Sequence, residues 1–226
     1  MTVLDRFLLL VTGLTAIYLL WRFFTIYNET KQRHFIFYMA AFAVLLVAGL
    51  LLIAFGYELL GYELTENREL ANDLTVIVAV LIPTGIAAGL VSEFFPQYEK
   101  PFLAYAVIGL VAIAGTRLTT EAGDDLAKFV LIAVHSISGV VILGIPLLMV
   151  KENKAVQGFA FVALGGLLID AGGVALAFLK LDKQFLFFSE DFTFDILALL
   201  LLLMTLAFTW GFTKHLLSEH PEQPVT

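Results

Sequence analysis

The sequence predicts an all-α integral membrane protein, a bundle of seven transmembrane helices. Three observations carry that fold class. The chain is 60% hydrophobic and only 15% charged, against roughly 45–50% and about 25% in soluble domains. Its apolar runs follow one another closely, each near the ~20 residues that span ~30 Å of hydrocarbon. The runs are apolar on every side, as helices in lipid or in a bundle core must be.

Taken in order, the runs are residues 4–24, 35–60, 74–95, 101–118, 126–150, 156–180 and 194–214. Asp5 and Arg6 open the first. It is too long for a signal-peptide core and no A-x-A site follows, so it reads as a retained span. Pro96 closes the third run, and Pro101 suits the first turn of the fourth, where its missing N–H is not needed. Residues 1–217 form one membrane domain, and 218–226, with Pro221 and Pro224, a short polar tail.

Arg22, Lys31 and Arg33 after the first span outweigh Arg6 before it. The positive-inside rule then puts the N-terminus outside and the C-terminus in the cytoplasm. Trp21, Tyr27, Tyr98 and Trp210 fall at one membrane interface, and Tyr57, Tyr62, Phe187 and Phe188 at the other. The presumed outer side carries Glu63, Glu66, Glu69, Glu121, Asp124, Asp125, Asp182, Glu190, Asp191 and Asp195. Solvated loops and helix N-termini explain such acids more simply than a cation funnel does. The stretch 49–56 echoes 166–173, so two three-helix units joined by the fourth helix (3+1+3) are a further expectation.

The sixth run is the unusual one, because Asp170 stands near its middle. A carboxyl group at that depth costs about 2.5 kcal/mol or more to insert, so it faces a bundle interior, a partner or water. Gly166, four residues before, and Gly173, three after, share its helix face and let another helix come close. His135 on the fifth span lies at a similar depth, some 13–15 Å in at 1.5 Å per residue. A short connector makes the fifth and sixth spans antiparallel neighbours, so a His135–Asp170 contact is available, either as a proton relay or as a static clasp. Thr15, Thr84, Ser138 and Thr205 fall near the same level and could line a small cavity. Ser and Thr in membrane helices usually bond back to their own carbonyls, so each alone is weak. Pro83 precedes Thr84, and Gly85 and Gly89 make a GxxxG packing face.

Other chemistries are set aside. There is no cysteine, so thiolate nucleophiles and Cys-ligated metals are excluded. Neither HExxH nor GxSxG occurs. The layout is similar to that of rhodopsins in helix count alone, since the seventh span has no interior lysine to anchor retinal. His34, His215 and His220 fall at or beyond the helix ends and read as solvated, although His34 and His215 could meet as a metal pair. The net charge of −7 argues against nucleic acid. The expected surroundings are a lipid bilayer, with a homo-oligomer or a membrane-complex partner open, and the sequence leaves the cofactor unknown, a bound pigment or lipid included. The reading is a small transporter or a proton- or cation-conducting protein with a midplane site around Asp170 and His135. The alternatives are a non-catalytic binding or sensory module, an accessory subunit of a larger complex, or a lipid-directed enzyme using one acid and one base.

Overall fold

The computed structural model describes residues 1–57, 69–118, 124–179 and 189–219, which are helical with no strand. The helices are α1 (Val3–Thr30), α2 (His34–Phe55), α3 (Glu69–Phe94), α4 (Glu99–Leu118), α5 (Asp124–Lys151), α6 (Ala160–Leu179) and α7 (Glu190–Glu219). Two short 3-10 turns, Pro96–Tyr98 and Gln157–Phe159, lead into α4 and α6. Residues Glu63, Glu66, Tyr62, Glu121, Asp182, Phe187, Phe188 and His220, and the expected span ends at 60 and 180, lie outside the described residues.

The helix limits follow local chemistry. Thr2 caps α1 reciprocally with Asp5: the Asp5 N–H donates to Thr2 Oγ1 at 3.1 Å, and the Thr2 N–H to Asp5 Oδ2 at 2.7 Å. Asp5 is thus a cap, and α1 begins one residue earlier and ends six later than the apolar run alone indicates. Lys31 stops α1 in the left-handed region at φ 57°, and Gly56 stops α2 at φ 74°. Pro96 ends α3 as expected, whereas Pro83 and Pro146 sit inside α3 and α5 without breaking them. Between α3 and α4, Glu99 accepts from Ser92 Oγ at 2.6 Å and pairs with Arg33 Nη1 at 3.1 Å.

Among the described residues, six helices are long and apolar enough to cross a membrane: α1, α2, α4, α5, α6 and α7. In α3 only Val80–Phe94 meets the apolar criterion, at a shorter length. Among the described residues the seven expected spans thus stand as six such helices plus one shorter apolar helix.

The helices form a ring. α1 packs on α2, α2 on α3, α3 on α5, α5 on α6, α6 on α7, and α7 returns to α1, while α4 lies outside against α3 and α5. Glu93 near the end of α3 meets His215 near the end of α7, and α6 runs antiparallel to both α5 and α7 in its glycine contacts, so α3, α5 and α7 run in one direction. The starts of these helices, with Glu69, Asp124, Asp125, Glu190, Asp191 and Asp195, consequently share one end of the bundle.

Inside the ring, Phe23, Phe35, Tyr38, Phe42, Phe159, Phe208 and Phe212 are almost wholly buried. Phe23 contacts the rings of Phe35, Tyr38, Phe42 and Phe212 at centroid distances of 5.2–6.0 Å. In lipid such packing, rather than exclusion from water, holds helices together. Trp21, Tyr98 and Trp210 are exposed, as interface anchors are. Lys214 Nζ lies 4.7 Å over the Trp210 ring.

The predicted GxxxG face of α3 packs on α2. A Cβ on Gly85 would fall 2.9 Å from that of Ala41, and one on Gly89 would enter the Tyr38 ring. Tyr38 cannot retreat, because its hydroxyl is bonded to Glu93. Gly89→Leu is therefore expected to destabilise the bundle by about 1–3 kcal/mol, read as a lower unfolding midpoint in detergent. An unchanged midpoint would refute this close approach. The 49–56 and 166–173 stretches are used differently: Gly49 has no atom within 4 Å of a would-be Cβ and Gly56 is a helix stop. Gly166 and Gly173 instead carry close contacts.

Candidate functional site

The seam between α5 and α6 is built from two sets of residues at matching spacing. His135, Gly139 and Ile142 lie on one face of α5, and Gly166, Asp170 and Gly173 on one face of α6. Each glycine receives the opposite helix's larger side chain. A Cβ on Gly173 would stand 2.7 Å from His135 Nε2, one on Gly166 2.5 Å from Ile142 Cγ2, and one on Gly139 inside the Asp170 carboxyl group. The two helices are antiparallel, as the short connector implied.

His135 Nε2 and Asp170 Oδ1 lie 3.4 Å apart, with side-chain exposures of 17% and 26%. Both atoms are buried, and neither makes an aligned hydrogen bond among the described residues. The pair is within ion-pair distance, with His135 charged only when protonated. Three residues on from His135, Ser138 is fully buried, and its Oγ lies 3.2 Å from Thr84 Oγ1. The Tyr105 hydroxyl of α4 donates to the Val134 carbonyl at 2.8 Å, closing the same level from outside. α5 thus carries two separate polar contacts, His135 with Asp170 of α6 and Ser138 with Thr84 of α3.

Thr15 and Thr205 are not part of this group. Thr15 Oγ1 donates to the Thr12 carbonyl at 2.8 Å, and Thr205 Oγ1 to the Leu201 carbonyl. Their hydroxyls serve their own helices, the usual fate of Thr surrounded by lipid and side chains. Thr205→Val is expected to leave ion flux unchanged and stability within about 1 kcal/mol. A loss of flux in that variant would bring Thr205 back to the site.

A second polar centre, which the sequence reading missed, lies at the end of the bundle where α3 and α7 finish. Glu93 Oε2 accepts from the Tyr38 hydroxyl at 2.5 Å, and its Oε1 lies 2.8 Å from His215 Nε2. Glu219, one turn after His215, approaches the same nitrogen at 3.7 Å. The His215 ring packs against Phe159 at 4.3 Å and Phe94 at 5.6 Å. His34 lies within electrostatic reach of Glu93 and against Tyr38. The expectation of solvated His34 and His215 is overturned, since their exposures are 8% and 1%. Helix-end position does not bring exposure here, because α7 continues to Glu219 and Phe159 of the turn Gln157–Phe159 packs on the His215 ring. One signal was available. Glu93 lies inside the apolar run 74–95, near its end, and a carboxyl so placed needs a donor.

No family model, no curated protein and no solved structure matches this chain.

Proposed function

We propose that this polytopic membrane protein is a small transporter or a proton- or cation-conducting protein. Its working site is the mid-depth group of Asp170 and His135, with Ser138 and Thr84 alongside. The observation that carries the reading is the reciprocal seating of the pair. Gly139 makes room for the carboxyl group and Gly173 for the imidazole, yet the two groups stay out of hydrogen-bond alignment. A carboxyl group is costly at membrane depth and tends to mark ion or proton pathways. A partly exposed acid beside an imidazole can take up and pass on a proton or hold a cation. The excess of Arg and Lys after the first span supports an outside N-terminus and a cytoplasmic C-terminus. α3 then serves as the seventh span.

Reconstitution tests this reading. Purified protein in liposomes is expected to dissipate an imposed proton, Na⁺ or K⁺ gradient faster than protein-free liposomes. Equal rates for all three ions would reject transport and move the chain to the class of binding modules or accessory subunits.

A further inference from the structure

We propose that Glu93, His215 and Glu219 form a binding site for a divalent transition-metal ion of the Zn²⁺ class. This site is separate from the Asp170–His135 group and does not depend on the transport reading. One ligand atom from each residue can be chosen so that all lie within 4.8 Å of one another. His215 Nε2 stands 2.8 Å from Glu93 Oε1 and 3.7 Å from Glu219 Oε1. Around a tetrahedral ion with bonds near 2.0–2.2 Å, donor atoms lie roughly 3.4 Å apart. The two distances from His215 lie either side of that separation, and the carboxylate pair is within 4.8 Å, so the three donors are near coordination distance of a common point.

The donor set selects the ion. One imidazole with two carboxylates and no thiolate suits Zn²⁺ and its first-row neighbours. Ca²⁺ and Mg²⁺ prefer oxygen ligands throughout. Three protein ligands leave a fourth position for water or a small ligand.

The surroundings of the trio hold its donor atoms in place. His215 is 1% exposed, and its Nδ1 is buried without a hydrogen-bond partner among the described residues. The polar contacts of the ring therefore run through Nε2, the atom that faces both carboxyl groups. The ring is clamped by Phe94 and Phe159, which holds that nitrogen in place. Tyr38, bonded to the far oxygen of Glu93, orients the carboxylate as outer-shell partners of metal ligands do. Glu219 is 42% exposed at its side chain while Glu93 is 9%, so the site reaches the surface through Glu219. That gives an ion a way in.

The test uses the full chain, purified in mild detergent, stripped with chelator and titrated calorimetrically with Zn²⁺, with Co²⁺ absorbance reporting the coordination. One equivalent of Zn²⁺ is expected, with Co²⁺ giving the intense visible bands of a tetrahedral site. His215→Gln and Glu219→Gln should each weaken binding roughly tenfold or more. Glu219 is exposed, so that variant remains informative if the buried histidine variant does not fold. His220→Gln should bind as wild type. Absence of saturable binding would overturn the assignment. So would binding that persists in Glu219→Gln and His215→Gln and disappears in His220→Gln.

Discussion

Glu93→Ala is expected to lower folding stability by about 3–5 kcal/mol, the range seen when one member of a buried charged pair is removed. Three helices lose their shared anchor at once. Glu93 on α3 takes the Tyr38 hydroxyl from α2 on one oxygen and the His215 ring from α7 on the other. Without it the Tyr38 hydroxyl is left buried with no acceptor, and the His215 ring loses its closest polar contact. Glu93→Gln keeps the shape and one acceptor, so its loss should be smaller. Detergent unfolding followed by circular dichroism reads both. An alanine variant as stable as wild type would mean that water satisfies this cluster and that the three helices are held by their aromatic packing alone.

The bundle and half of the mid-depth site were legible in the sequence. Composition and run length gave the helices, because a lipid-embedded backbone has to satisfy itself within each helix. Asp170 with Gly166 and Gly173 was legible from spacing, since i, i+4 and i+7 share a helix face. The paired glycines of α6 held more information than was read. Gly166 and Gly173 admit α5, while Gly165 and Gly172, one residue earlier each time, face Phe208 and Leu200 of α7. Two Gly-Gly pairs seven residues apart thus describe a helix wedged between two neighbours. Gly139 was not singled out, because its role appears only when the opposing Asp170 is placed over it.

Tertiary partners explain the remaining differences. The hydroxyl of Thr84 finds Ser138, whereas those of Thr15 and Thr205 find their own carbonyls, and nothing in the local sequence separates the two cases. The Glu93 cluster draws on residues 38, 93, 215 and 219 from three helices. Spacing within one helix cannot assemble it, although His215 and Glu219 at i, i+4 were half of the pattern.

Asp170→Asn carries the largest expected functional effect. Asparagine has nearly the same shape, so it fits the space that Gly139 leaves and should preserve the α5–α6 seam. What it removes is the ability to hold a charge or release a proton. If the mid-depth pair is a working site, flux should fall at least about tenfold, to the level of protein-free liposomes. His135→Gln should reduce flux less, because Asp170 still offers a cation its oxygens. If the pair is a static clasp, Asp170→Asn should cost under about 2 kcal/mol of stability and leave flux untouched. The decisive measurement is therefore the rate at which an imposed ion gradient decays in liposomes carrying wild-type protein or Asp170→Asn at equal protein density. Rapid decay with wild type and decay at the protein-free rate with the variant is the predicted result. Equal, rapid decay with both would contradict the assignment of the site to Asp170.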